Sequence, residues 1–281
     1  MKPPPFDYVD PQDLGGVLQL LADAGDDAAV IAGGQSLVPL LNLRLARPEL
    51  VIDPRHLQEL RTIDFETDGL RVGAMARVAD LEEHPSLDQM PGLIEVLALI
   101  GHSQIRARTT IGGSIAHADP AAELPALLLA LAGEVTLQSR DRGVRTVAAR
   151  DFFVGPLMTE RMSDELVTSI WLPYAPGPIA IAEVAKRPGD FAIVGAISSF
   201  GTDDGLIVDP RIALFGVGPT PIRATEAETS LVGKAPSSDV FAAAARIAGQ
   251  HLNPRGDMHG STAYRRQLAM TLTERTLGGA L

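Results

Sequence analysis

Thr109-Thr-Ile-Gly-Gly-Ser-Ile-Ala-His-Ala-Asp-Pro-Ala-Ala-Glu-Leu-Pro125 is the stretch on which the reading of this chain turns. Gly112 and Gly113 carry no Cβ, so the backbone there is free to take positive φ and to bring N–H groups against a ligand such as a phosphate. Thr110 and Ser114 flank the pair with hydroxyls. Asp119-Pro120 reads as a helix start, with Asp at the N-cap and Pro at the first helical position. Leu124, Leu127, Leu128 and Leu131 then recur at i, i+3, i+4 and i+7, an amphipathic pattern that Gly133 ends. Glu123 falls in the first turn or so, where the helix dipole tolerates a carboxylate and sugar hydroxyls can donate to it. From this stretch alone, a tight Gly-Gly turn before a helix is an equally good reading.

A second loop of the same chemistry lies upstream. Ala32-Gly-Gly-Gln-Ser-Leu37 follows the apolar run Ala28-Ala-Val-Ile31 and precedes another helical pattern. Neither loop closes with the Lys-Ser or Lys-Thr of a Walker motif, and neither has the Gly-x-Gly-x-x-Gly spacing of a Rossmann turn. The pair Ala32-Gly-Gly-Gln-Ser36 and Thr110-Ile-Gly-Gly-Ser114, with Ala118-Asp-Pro-Ala-Ala-Glu-Leu-Pro125, resembles the FAD-binding medium subunit of the xanthine dehydrogenase and carbon monoxide dehydrogenase family, the molybdenum hydroxylases. The resemblance covers essentially the whole chain.

The resemblance implies an α+β chain. A two-part α/β FAD-binding domain of the PCMH, or vanillyl-alcohol-oxidase-like, kind would be followed by a smaller C-terminal α+β domain with an antiparallel three-stranded sheet and helices. It implies FAD as cofactor. Ala32, Gly33, Gly34, Gln35, Ser36 and Leu37 match the pyrophosphate-binding segment, where aligned amide dipoles substitute for a formal positive charge. Thr110, Ile111, Gly112, Gly113 and Ser114 match the second FAD segment, with Ala118 just beyond it, and Glu123 sits where relatives place a ribose-binding acid. Ile100 aligns with an apolar residue against the cofactor, although core packing explains it equally. Leu166 matches an apolar contact to the flavin end. Lys186, in Lys186-Arg-Pro-Gly-Asp-Phe-Ala192, is a candidate to reach the flavin from the C-terminal domain, against the alternative of a solvated basic pair. No catalytic residue and no metal ligand is implied.

Composition narrows the partners. At 281 residues the chain has room for two ordinary domains. With 24 Lys+Arg against 35 Asp+Glu, its net charge of −11 argues against nucleic acid or an anionic membrane as the main partner. No window approaches the roughly 20 apolar residues of a membrane span, and Met1-Lys-Pro-Pro-Pro lacks the apolar region of a signal peptide, so a cytoplasmic location is expected. The chain has no Cys, hence no disulfide, no Cys nucleophile and none of the usual ligands for an iron–sulfur cluster. The six histidines lack a spacing that would converge on a metal.

In order, Asp10-Pro-Gln-Asp13 opens a helix that Gly25 stops, Ala28 to Ala32 reads as a strand, and Leu37, Leu40, Leu41 and Leu45 as a helix that Pro48 ends. Leu50 to Asp53 completes a parallel βαβ unit over about 1–59, with the first glycine loop at a strand's carboxyl end. Residues 60–175 hold two hairpins, at Arg61 to Gly73 and Glu134 to Val147, two helices, the second glycine loop and a closing strand at Leu166 to Leu172. Pro173-Tyr-Ala-Pro-Gly-Pro178 marks the boundary, giving domains 1–175 and 176–281. Beyond it three strands form a meander, and helices follow at Ala224 to Leu231, Asp239 to His251 and Ser261 to Leu277.

The function the family resemblance implies is that of an electron-transfer flavoprotein subunit, active in a complex with an iron–sulfur small subunit and a molybdenum large subunit, as a dimer of heterotrimers. Two alternatives stand beside it: a self-contained flavoenzyme of the same FAD fold, and a non-catalytic nucleotide-binding assembly subunit. No Gly-x-Ser-x-Gly elbow supports hydrolase chemistry.

Overall fold

A computed structural model describes residues 2–281. The chain opens with β1 (Asp7–Val9), α1 (Leu14–Ala24), β2 (Ala28–Val30), α2 (Leu37–Asn42) and β3 (Leu50–Ile52). The three strands form a parallel sheet in the order β1-β3-β2. Asp13 caps α1 by accepting from the Gly16 N–H at 2.7 Å. Val17, Leu18 and Leu21 of that helix pack with Ile52, Leu57 and Leu60 into a small core. β1 has no apolar signature, since all three of its residues are exposed. α2 stops at Asn42 and not near Pro48, because Arg44 turns left-handed at φ 59°, and Leu45 is 73 % exposed instead of joining the core.

The next unit contains β4 (Ile63–Phe65), β5 (Gly69–Gly73), α3 (Val78–Glu82), α4 (Leu93–Leu99), α5 (Ser103–Arg106), α6 (Ile111–His117) and α7 (Glu123–Ala130). It continues with β6 (Glu134–Ser139), β7 (Gly143–Ala148), α8 (Ala149–Phe152), β8 (Phe153–Gly155), β9 (Met158–Thr159) and β10 (Leu166–Pro173). Its antiparallel sheet runs β4-β5-β10-β6-β7, and β8-β9 forms a separate two-stranded hairpin with Val154, Leu157 and Met158 exposed.

The organising stretch folds differently from its sequence expectation. Gly112 and Gly113 are helical residues inside α6, not a positive-φ turn. Thr110 is the N-cap of that helix, its hydroxyl accepting from the Gly113 N–H at 3.2 Å. Asp119 does not cap a helix that starts at Pro120. Its carboxylate accepts from the Ala121 N–H at 2.9 Å in a turn of its own, and α7 begins at Glu123 behind Ala122. Nor is α7 amphipathic, for every residue from Glu123 to Ala130 is buried. The reason is position: α7 lies between the second unit's helices and the C-terminal sheet, so it has no solvent face.

The C-terminal unit comprises β11 (Ala180–Ala185), β12 (Ala192–Asp203), β13 (Leu206–Phe215), β14 (Ile222–Arg223), α9 (Thr225–Leu231), α10 (Ser238–Gln250) and α11 (Thr262–Gly279). The sheet order is β11-β12-β13-β14, the short β14 adding a fourth strand to the expected meander. Side chains alternate across it. Ala180, Ala182 and Val184 pack with α10 and α11 residues such as Ala244 and Leu272. Ile181, Ile197, Ala213 and Phe215 pack instead into the core of the preceding unit. The two are also bonded at the backbone, Gly216 N–H donating to Pro120 O at 2.8 Å and Ile179 N–H to Pro91 O at 2.8 Å.

Candidate functional site

A cavity of about 510 Å3 opens where the three units meet. That is the size class of a cofactor pocket. Both glycine loops line it and touch each other: a Cβ on Gly33 would lie 2.2 Å from Arg108 O, and one on Gly113 would lie 3.2 Å from the Ala32 Cβ. Leu21, Ala28, Val30, Leu60 and Leu166 also line it, as do Ile100, Gly101, Ile105 and Glu123, with Gly189, Asp190 and Phe191 from the C-terminal unit.

The structure places Ala32, Gly33, Gly34, Gln35, Ser36, Leu37, Ile100, Thr110, Gly112, Gly113, Ser114, Glu123 and Leu166 on this one cavity. Three other residues named from the sequence lie off its wall. Ile111 is in the hydrophobic core, Ala118 is buried at φ 52° where α6 ends, and Lys186 is solvent-exposed beyond β11.

The two loops contribute different chemistry. In the second, the backbone donors are already used within the chain: Ile111 N–H donates to Ala76 O, Gly112 N–H to Ala74 O and Gly113 N–H to the Thr110 hydroxyl. Those amides cannot hold an anion, as the sequence suggested they would. In the first loop the chain leaves β2, Gly34 turns at φ 75°, and Gln35 folds back to donate to Gly33 O at 3.1 Å. The N–H groups of Gly34, Gln35 and Ser36 find no acceptor within the described chain. Successive unpaired amides of this kind bind anionic oxygens without any Lys or Arg.

Four polar side chains on the cavity are electrostatically unusual, Glu165 being held, against the effect of burial, below the usual range by Arg145 and the Met162 N–H. Burial pushes Glu123 up to about 8; the backbone N–H at its own position pulls the other way, while Glu183 and Asp119 add repulsion. Burial lowers His117, partly offset by Asp119. Burial also lowers Arg161, whose Nη1 donates to Met162 O, Ser163 O and Glu165 O. Arg161 and Phe191 were not found as site residues from the sequence. Arg161 carries no local signal, since Glu160-Arg-Met162 reads as a surface loop. Phe191 lies in the Lys186 to Ala192 segment, but a single exposed Phe beside a turn carries no sequence signal for a site.

A largely apolar cavity lined by unpaired amides and a buried acid fits a dinucleotide. Diphosphate oxygens would match the Gly34 to Ser36 amides, and sugar hydroxyls the carboxyl of Glu123. Among the described residues no group of His, Asp or Glu could hold a metal ion. No helix among them is long and apolar enough to cross a membrane.

Comparison with known proteins agrees in kind. Residues 4–175 match the family described as the FAD binding domain in molybdopterin dehydrogenase, and residues 180–280 the CO dehydrogenase flavoprotein C-terminal domain. The 6-hydroxypseudooxynicotine dehydrogenase complex subunit alpha of Paenarthrobacter nicotinovorans is 45 % identical over 285 residues, covering 100 % of this chain and 96 % of its own. The carbon monoxide dehydrogenase medium chain of Hydrogenophaga pseudoflava is 36 % identical, covering 100 % and 98 %. A chain of quinoline 2-oxidoreductase from Pseudomonas putida 86 superposes with a TM-score of 0.95 at 39 % identity, covering 100 % and 98 %.

Proposed function

The chain belongs to the FAD-binding medium subunits of carbon monoxide dehydrogenase-type molybdenum hydroxylases, and from that premise we propose that it is the electron relay of a multisubunit oxidoreductase. When bound, FAD supplies the two-electron and one-electron redox chemistry. Everything else falls to this chain's residues. Gly34, Gln35 and Ser36 hold the diphosphate through their backbone N–H groups. Ala32, Gly33 and Gly113 keep the two loops close, Ser114 offers a hydroxyl, and Glu123 accepts from a sugar hydroxyl. Ile100, Leu37 and Leu166 exclude water from the cavity. Gly189 to Phe191 border it from the C-terminal domain, which we take as residues 176–281 behind a cofactor domain of 1–175.

The observation that carries this reading is the run of unpaired amides at Gly34 to Ser36 on a cavity shared with the second glycine loop. It supports a bound diphosphate in a chain that places no lysine on that cavity. The electrons would come from, or go to, an iron–sulfur subunit, because this chain has no Cys to ligate a cluster. A molybdenum subunit beyond it would hold the organic substrate, in a cytoplasmic dimer of heterotrimers. The names of the relatives, a complex subunit alpha and a medium chain, support a multisubunit setting. They favour neither a self-contained flavoenzyme nor a non-catalytic assembly module.

The test is purification of the full chain, release of its cofactor by heat and chromatography of what is released. FAD at one per chain, reducible by dithionite, is expected. The flavin-loaded chain alone should not oxidise an organic substrate, and addition of the iron–sulfur and molybdenum subunits should confer that activity. FMN as the released cofactor, or turnover by the isolated chain, would overturn the relay.

A further inference from the structure

Two groups of cavity residues can be told apart by what they touch. Leu21, Ala28, Val30, Leu60 and Leu166 line the cavity and pack into one core cluster, in which Leu21, Leu60 and Leu166 are buried. Ile100, Gly101, Ile105 and Gly189 to Phe191 make the second group: a Cβ on Gly189 would lie 3.0 Å from Gly101 C, and one on Gly101 would lie 2.7 Å from the Ile105 Cγ2. Phe191 there is 55 % exposed. A flavin that trades electrons with another protein belongs where that protein can approach, with the second group. The other ring system of the dinucleotide falls to the first.

Arg161 stands beside the first group. Its Nη1 donates to Met162 O, Ser163 O and Glu165 O, the last at 2.8 Å and at the residue that leads into Leu166. Its Nε and Nη2 donate to nothing among the described residues, and both remain accessible on a side chain that lines the cavity. No carboxylate takes them: Glu165 accepts from Arg145 and the Met162 N–H, and Asp164 pairs with Arg142.

The diphosphate site is too far along the chain to be their target. A Cβ on Gly25 would lie 3.9 Å from the Ser163 Oγ, so the Arg161 loop packs where the chain enters β2, whereas the unpaired amides of Gly34 to Ser36 come after that strand has ended. From Ala28 to Ala32 alone, an extended chain advances about 13 Å. That span matches the reach of an adenosine from its diphosphate.

We propose that Arg161 is a cofactor-binding residue that recognises the adenine base of FAD, donating from Nε or Nη2 to a ring nitrogen while the aliphatic group encloses the base. The role rests on the assignment of FAD to this cavity. A guanidinium is planar, always charged and carries donors only. Its partner must present lone pairs in the plane of a ring, as adenine does at its ring nitrogens. The Nη1 contacts to three carbonyls fix the guanidinium before the ligand arrives, so little side-chain freedom is lost on binding. Leu166, expected from the family resemblance to meet the flavin end, then lies against the base.

The test is calorimetric titration of the flavin-free full chain with ADP, with FAD, and with three FAD analogues in which C–H replaces the adenine nitrogen at position 1, 3 or 7. One analogue should bind the unmodified chain roughly ten- to hundredfold more weakly than FAD. Arg161→Met keeps the length and removes the donors. It should weaken ADP and FAD by that same factor, erase the difference between FAD and the analogue, and leave the visible spectrum and reduction potential of the bound flavin unchanged. Arg161→Lys has a single nitrogen for the three carbonyls and none to spare, so it should keep the melting temperature and still lose the discrimination, which covers a Met variant that does not fold. A merely structural role would weaken every ligand by one factor and leave the analogue's penalty in place. If all three analogues bind the unmodified chain as FAD does, or if Arg161→Met shifts the flavin potential while ADP affinity holds, Arg161 does not meet the base and the cofactor assignment stands. If the unmodified chain binds neither FAD nor ADP, that assignment fails and this role with it.

Discussion

Gly33 lies so close to the backbone at Arg108 that a Cβ added to it would sit 2.2 Å from the Arg108 carbonyl oxygen. This contact joins the two glycine loops, because Arg108 immediately precedes the Thr109 to Ser114 segment. The φ of Gly33 is not in the left-handed region, whereas that of its neighbour Gly34 is 75°. The adjacent glycines are therefore needed for different reasons, one for close approach and the other for conformation.

Those reasons predict separable phenotypes. Gly33→Ala must push the loops apart and should cost about 1–3 kcal/mol together with stoichiometric FAD. Gly34→Ala should cost only about 1–2 kcal/mol of backbone strain, since its Cβ would meet no backbone, just the side chains of Val38 at 3.3 Å and Ile31. It should keep most of the FAD. Thermal melts and flavin absorbance on the same samples check both, and equal flavin loss in the two variants would show that spacing between the loops is not what matters.

Thr110 is the N-cap that closes the second loop onto α6. It is buried and isosteric with Val, so Thr110→Val removes only the hydroxyl that accepts from Gly113 N–H. Loss of this cap should cost about 1 kcal/mol and leave an unpaired amide beside Ala32. Chemical denaturation gives the stability change, and FAD titration should show weaker binding.

Much of this was legible in the sequence because it depends on local rules. The Gly25 stop, the Asp13 cap and the meander were readable from turn residues and alternation. The misplaced start of α7 shows the limit. Asp119-Pro120 has good capping chemistry, but Asp119 closes a short turn while Gly216 N–H takes the Pro120 carbonyl, and a contact from 96 residues away is invisible to a local pattern. The burial of α7 on every face is likewise set by the C-terminal sheet. Arg161 has no sequence signal for the same reason, since what distinguishes it is the desolvation of its guanidinium on the cavity, and burial is a tertiary fact.

Glu165 is 1 % exposed at the cavity, and burial alone would raise its pKa. The fork of Arg145 at 2.7 and 2.8 Å and the Met162 N–H at 2.8 Å outweigh that, holding Glu165 below the usual range. Arg145→Met strands the carboxylate and should cost about 2–4 kcal/mol at neutral pH, at the low side because Arg145 itself is partly exposed. A depressed acid stabilises the fold above its unfolded pKa and loses that contribution as pH falls. The gap between variant and unmodified chain should thus shrink below about pH 4.5. Urea midpoints at pH 7 and pH 4 check this, and a gap that does not narrow would assign the loss to packing.

The raised acids carry the opposite sign. Unfolded, Glu123 and Glu183 ionise near 4.5, while in the fold they hold protons up to about 8 and about 7. Between those limits the folded chain binds more protons than the unfolded one, so the stability of the flavin-free protein should fall as pH rises from about 5 to 8. Glu123→Gln should reduce the slope, and the double change with Glu183→Gln should flatten it. Because the two acids repel each other, the double variant should gain less at pH 8 than the two single gains added together. Melting temperatures of the flavin-free chain from pH 5.5 to 8.5 test each part. A double variant whose melting temperature falls in parallel with the unmodified chain would locate the pH sensitivity elsewhere in the fold.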